Sequence, residues 1–262
     1  MPYETLLVEH TGNVATLTLN RPKVLNALNG QLLSELDHAL QSLGADPGVR
    51  VLILHGAGGK AFAAGADISE LTGLDPAQAE QQSCRVQQIF RRLEQLGKPV
   101  IACIDGYALG GGCELAMACT LRLASGNARL GQPEIKLGLI PGYGGSQRLT
   151  RLVGRGAALK LLLTGAMVDA AEALRIGLID ELVPGDSAAL LDRALELAAF
   201  IAGMPPLAIS ATIEAVDRGA DLPLDESLAL ESQIFGRLCA TEDMREGTRA
   251  FLEKRAPKWT GR

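Results

Sequence analysis

Short apolar runs broken by glycine carry the first two thirds of the chain, and longer runs with helical spacing carry the last third. Residues 5–9 and 14–19 alternate apolar and polar positions around Gly12-Asn13, which predicts an antiparallel hairpin. Residues 20–26 read as a loop in which Pro22 excludes regular structure. Leu32, Leu33, Leu36, Leu40 and Leu43 recur at helical intervals between an Asn29 cap and Gly44. Residues 51–54 suit a short buried strand. Small residues then lead to Asp67 at another helix start, and a long helix follows from Leu74-Asp-Pro to about Leu96. The run 99–114 predicts a strand, a turn, three consecutive glycines and a helix over 113–119. Residues 121–124 form a strand and 131–145 a stretch of turns; 145–153, 157–163 and 169–175 are helices before a strand at 178–183. Past Pro184, residues 187–202, 206–218, 224–239 and 242–253 are all helical in period. The pattern predicts an α/β fold in two parts, a mixed core over 1–184 and a helical region over 185–262. The basic segment 254–262 is expected to be loosely held unless a partner engages it.

Composition narrows the function classes. Hydrophobic residues make up 47% of 262 positions and charged ones 21%, which suits a sizeable core. Aromatics are only 3%, so aliphatic side chains must fill that core, and stacking on exposed bases is disfavoured. A net charge of −5 offers no footprint for nucleic acid or an anionic membrane. Cys84, Cys103, Cys113, Cys119 and Cys239 show no paired spacing, and His10, His38 and His55 make no metal-ligand pattern. The expectation is a reduced, cytoplasmic protein needing no metal or cofactor, with no leader legible in Met-Pro-Tyr-Glu. Residues 99–124 are apolar enough to raise a membrane span, but Asp105, Glu114, Arg122 and the glycines favour a buried strand–helix unit.

Candidate chemistry sits at two glycine-rich junctions, 63–67 and 109–112. Each leaves peptide N–H groups open to close approach. Brought side by side, such donors converge on one oxygen atom, a device worth about 3 kcal/mol per donor against a developing oxyanion. Glu114 and Glu134 lie in apolar, glycine- or proline-rich settings and suit an acid–base pair. The plain alternative makes the glycines a packing device and Glu134 an ordinary loop carboxylate. Asp67 reads as a helix-start carboxylate, Asp105 as a turn residue and Cys113 as a buried thiol. A phosphate-binding G-x-x-x-x-G-K-[ST] loop, a G-x-G-x-x-G dinucleotide fingerprint and a G-x-S-x-G nucleophile elbow are all missing from the chain.

Three motifs carry a resemblance: Ala61-Phe-Ala-Ala-Gly-Ala-Asp-Ile-Ser-Glu70, Gly106-Tyr-Ala-Leu-Gly-Gly-Gly-Cys-Glu-Leu115, and Gly131-Gln-Pro-Glu134 with Pro141-Gly-Tyr-Gly-Gly-Ser-Gln-Arg-Leu149. With Asn20-Arg-Pro and Phe251-Leu-Glu-Lys-Arg255, the chain resembles the enoyl-CoA hydratase/isomerase (crotonase) superfamily, and in particular its hydratase branch. The resemblance implies a spiral of β-β-α units and a C-terminal helical trimerisation region, with assembly as a homotrimer or homohexamer. It implies an acyl-CoA thioester substrate, coenzyme A being part of the substrate rather than a cofactor, and a place in fatty-acid or related acyl-CoA catabolism. By the same resemblance, Ala66 and Gly111 supply the oxyanion-hole N–H groups, and Glu114 and Glu134 are the catalytic pair. The backbone N–H of Gly142 helps hold Glu114 and its water; Ala64, Asp67 and Ile68 border the pantetheine path; Lys23 and Val24 lie near the nucleotide. Ser69 stands where lysine is frequent, and Tyr143 where a smaller residue is common, which would narrow the acyl pocket. An enoyl-CoA isomerase is the alternative within the family, and a non-catalytic CoA- or RNA-binding member the alternative outside catalysis.

Overall fold

A computed structural model describes residues 3–262; the first two residues, part of the segment read for a leader, lie outside the described ones. The predicted hairpin is present as β1 (Leu6–Thr11) and β2 (Val14–Leu19), antiparallel with Thr11 opposite Val14. Pro22 does not exclude regular structure. It opens a single 3-10 turn, Pro22–Val24, at the position where a missing N–H costs nothing. Helix α1 (Gly30–Ala45) starts where expected, with Leu32 N–H donating to the Asn29 side chain at 3.0 Å. After it come β3 (Val51–Gly56), β4 (Ala61–Ala63) and α2 (Pro76–Glu94), the last opened by a capping box between Asp75 and Gln78.

The same sequence of events then repeats. β5 (Val100–Ile104) and β6 (Tyr107–Leu109) lead into α3 (Gly111–Met117). β7 (Leu121–Ser125) and β8 (Arg129–Gly131) lead through a 3-10 turn, Pro133–Leu137, into α4 (Gly145–Thr164). At each pass one strand joins a six-stranded sheet, ordered β1-β2-β3-β5-β7-β10, and the next joins a four-stranded sheet, ordered β4-β6-β8-β9. This is the expected spiral of β-β-α units. The short strands β9 (Met167–Asp169) and β10 (Glu181–Val183) flank α5 (Ala170–Arg175) and finish the two sheets. The two helices expected between residues 145 and 163 are present in α4 and meet at Gly154, whose φ of +76° breaks the helical backbone between them. Residues 99–124 form the predicted strand–helix unit, and no single helix among the described residues is long and apolar enough to cross a membrane.

The large sheet is buried on both faces, which is why β3 and β5 read as unbroken apolar runs rather than alternating ones. Leu52, Leu54, Val100, Ala102 and Ile104 point to the main core with α1, α2 and α3. Val51, Ile53, Ile101 and Cys103 point the other way, onto Leu190, Ala194 and Ala198 of α6 (Ser187–Ala202). The first helix of the C-terminal region thus covers the sheet. Beyond it, α7 (Pro206–Gly219), α8 (Leu224–Leu238) and α9 (Glu242–Glu253) leave Val216, Leu224, Phe235, Phe251 and Leu252 exposed.

The basic tail departs from expectation. Asp243, buried on α9, accepts from the N–H groups of Thr260 and Gly261 at 2.7 and 3.0 Å, and Arg262 O accepts from Glu242 N–H and Asp243 N–H. Arg255 pairs with Glu246 at 2.6 Å. The tail's own peptide groups satisfy the open N-terminus of α9, so the chain supplies the partner itself.

Candidate active site

The three central glycines have distinct duties. Gly112 lies against β4, where a Cβ would stand 2.0 Å from Ala63 O, so helix and strand touch only because no side chain intervenes. Gly110 has φ of +48°, and a Cβ on it would meet Glu134 Oε1 at 2.7 Å. Between them Gly111 brings its backbone beside Ala66, whose N would be 3.3 Å from a Cβ at Gly111. The two glycine junctions therefore meet, as the pattern required.

Pairing on the far side orients Ala66. Leu28 N–H donates to Gly65 O at 2.8 Å and Asp67 N–H to Leu28 O at 2.9 Å, a parallel bridge. In such a bridge the intervening residue turns its own N–H the other way. Neither Ala66 N–H nor Gly111 N–H donates to another group among the described residues. Behind the bridge, the fully buried Asn26 accepts from Arg21 N–H at 2.9 Å and donates to Ala57 O and Ala61 O at 3.0 and 2.8 Å.

Glu114, one turn into α3, is 1% exposed. Its Oε1 accepts from Tyr143 N–H at 2.8 Å and from Gly145 N–H at 2.6 Å. The first of these peptides is also gripped at its other end, because Gly142 O accepts from Ser83 Oγ and, at 2.9 Å, from Gln87 Nε2 of α2. Gly142 thus serves through its carbonyl, and the N–H groups on Glu114 are those of Tyr143 and Gly145. Burial pushes Glu114 up to about 7, with the charge of Glu134 adding to the effect and the two N–H bonds opposing it.

Glu134 stands on the five-residue 3-10 turn after β8 and is half-buried. Burial raises it too. Its neighbour Gln132, 1% exposed, has one end of its side-chain amide 3.0 and 3.1 Å from the two Glu134 oxygens, and the nitrogen is assigned to that end because an amide oxygen there would face only acceptors. Two raised carboxylates facing one site titrate as a coupled pair, their protons belonging to the pair rather than to either residue.

The groups meet in a cleft of about 460 Å³ lined by Ala64, Ala66, Ile68, Gly111, Glu114, Glu134, Gly142 and Tyr143 among others. The Tyr143 ring closes one side, edge-on to Phe90 with centroids 6.0 Å apart. Lys23 and Val24 lie outside this cleft on the exposed 3-10 turn, and Asp67 is turned away, bonded to Ser69 Oγ at 2.7 Å and Arg21 Nη2 at 3.1 Å. Asp67 caps Ile68–Glu70 as a helix-start carboxylate should, and Asp105 accepts from Ser125 Oγ at 2.5 Å. Burial pushes the Cys113 thiol up to about 12, consistent with a packing role. Gln132, Ser83 and Gln87 escaped the reading by pattern, because nothing in a polar residue's local sequence says which carboxylate or carbonyl it will face.

The sequence profile of the enoyl-CoA hydratase/isomerase family matches residues 9–262. A short-chain-enoyl-CoA hydratase of Clostridium acetobutylicum is 46% identical over 255 residues, 97% of each chain. A probable enoyl-CoA hydratase of Rhizobium meliloti is 49% identical over 262 residues, the whole of both. The crystal structure of an enoyl-CoA hydratase from Bacillus anthracis superposes with a TM-score of 0.94 at 40% identity, covering 99% of this chain and 100% of that one.

Proposed function

Since the chain belongs to the enoyl-CoA hydratase/isomerase family, we propose that it is an enoyl-CoA hydratase, adding water to a trans-2-enoyl-CoA to form a 3-hydroxyacyl-CoA. One observation carries the reading: two carboxylates from different elements, Glu114 and Glu134, share a cleft with two peptide N–H groups that have no acceptor among the described residues. The Ala66 and Gly111 N–H groups donate to the thioester carbonyl oxygen and draw charge from the double bond, making Cβ electrophilic. Glu114 orients a water molecule and takes its proton as the oxygen bonds to Cβ. Glu134 delivers a proton to Cα. Hydroxide equivalent and proton add across one bond with no net oxidation, so the step as written calls for no redox group or metal.

Ala64 and Ile68 border the pantetheine path in this reading, and Lys23 and Val24 lie further out toward the nucleotide. The Tyr143 ring walls the acyl end, which supports a short acyl chain, in line with the name of the Clostridium relative. The exposed apolar residues of α7, α8 and α9 support assembly into a homotrimer or a dimer of trimers, which light scattering would read as particle mass.

The deciding experiment offers crotonyl-CoA and a 3-enoyl-CoA separately and follows each by loss of substrate and by product identity. Rapid hydration of crotonyl-CoA is the expected result. Consumption of the 3-enoyl-CoA alone, with no hydroxyacyl product, would make the chain an isomerase, and turnover of neither would remove catalysis.

A further inference from the structure

Gly142–Gly145 carries both N–H donors to Glu114, and the peptide between those two is held by a part-buried ion pair. Arg148 on α4 donates Nη1–H to Tyr143 O at 2.8 Å and Nε–H to Glu94 Oε1 at 2.5 Å. Glu94 is the last residue of α2, so the pair ties that helix end to the turn. The two side chains are 15% and 18% exposed. Gly144 makes room for the contact: its φ is +102°, and a Cβ there would lie 2.3 Å from Arg148 Nη1. Arg148 lies outside the substrate cleft and borders a second cavity, of about 620 Å³, on the far side of the turn.

We propose that Arg148, anchored by Glu94, is a positioning residue: it fixes the Tyr143–Gly144 peptide so that the peptides on either side keep their N–H groups on Glu114, and its charge counters that of Glu134 at the same carboxylate. The proposal rests on the hydratase reading. Glu114 faces Glu134 from the 3-10 turn, the Tyr143 phenol from the turn, Cys113 on its own helix and Arg148 from α4. Behind Arg148 stand Glu94 and Arg91 of α2, Cys119 after α3 and Asp217 of α7. Arg148 is the cation in this set that favours ionised Glu114, while Glu94 holds part of that charge to itself.

The test is kcat and KM for crotonyl-CoA across the pH range, about pH 5 to pH 9, for the wild type, Arg148→Gln, Arg148→Lys and Glu94→Gln. Arg148→Gln should lower kcat about tenfold or more with KM within about twofold. It should also move the rising limb of kcat/KM to higher pH, since a cation is lost and Glu94 keeps only Arg91, at 2.8 Å, as its partner. Arg148→Lys keeps the charge without the two-point fork, so kcat falls while the limb stays in place. Glu94→Gln frees the charge of Arg148 and moves the limb to lower pH. Limbs that stay put, or move the same way in Arg148→Gln and Glu94→Gln, overturn the proposal; so does a lysine variant with wild-type kcat. If Arg148→Gln fails to fold by circular dichroism, the other two variants still decide. A wild type that never hydrates crotonyl-CoA overturns the hydratase reading first, and is seen before any substitution is made.

Discussion

The two walls of the cleft hold their carboxylates in opposite ways. Glu114 sits on a helix buried along its whole length, its Oε1 fixed by two peptide N–H groups that are themselves braced by α2 and α4. Glu134 sits on one 3-10 turn whose last residue, Leu137, is exposed along with Leu139 and Ile140 after it, and Gln132 is its side-chain partner. One carboxylate is held at a set point and the other stands on a wall with far fewer constraints. An addition in which a water must be aimed while a proton is handed over suits that division, because only the aimed group needs a fixed geometry.

The sharpest way to break this contrast is to neutralise each carboxylate. Glu134→Gln and Glu114→Gln should each lower kcat for crotonyl-CoA hydration by about 10²- to 10⁴-fold with the fold intact by circular dichroism. Near-normal hydration by Glu134→Gln would remove it from the chemistry. Adjacent glycines separate the walls next. Gly112→Ala places a methyl group against the Ala63 backbone, which cannot yield, and should cost about 3 kcal/mol or more, read as a large fall in Tm or loss of soluble protein. Gly110→Ala meets the flexible end of Glu134 instead; at a strain of about 1–3 kcal/mol it should fold and lose activity. Equal behaviour of the two variants would erase the distinction.

A third measurement concerns stability and pH. Burial raises the folded-state value of Glu114 from 4.5 to about 7, so the folded protein binds this proton more tightly than the unfolded chain does. Stability from this group is therefore present at low pH and is lost as pH rises through that interval. Thermal melts of Glu114→Gln and wild type should show the variant gaining, relative to wild type, between about pH 5 and pH 8. A constant difference would mean that Glu114 pays no burial cost. The smallest expected effect is in selectivity: Tyr143→Ala should shift kcat/KM from crotonyl-CoA toward a decenoyl-CoA by about tenfold. An unchanged ratio would place the acyl limit elsewhere.

Much of the architecture was legible in one dimension. The hairpin, the cap at Asn29, the helix opening at Leu74-Asp-Pro, the central strand–glycine–helix unit and the C-terminal helices all follow from local periodicity and turn chemistry. The second sheet was not, because β4, β6, β8 and β9 are three residues each, too short to display alternation. The tail at 254–262 was misjudged for a related reason: its partners are peptide groups of α9, and backbone bonding leaves no trace in composition.

By itself the sequence determined which residues are candidates for chemistry: two glycine-rich junctions and two carboxylates in apolar settings, in a chain of net charge −5. Those are properties of residue types and their neighbours. Tertiary structure alone decided that Ala66 turns its N–H toward Gly111, that Tyr143 and Gly145 rather than Gly142 donate to Glu114, and that Arg148 and Glu94 brace them from behind. Such pairings join positions dozens of residues apart through backbone atoms that every residue shares, so side-chain identity cannot announce them. The glycines at 110–112 mark the meeting point in the sequence; what they meet is set by the two sheets.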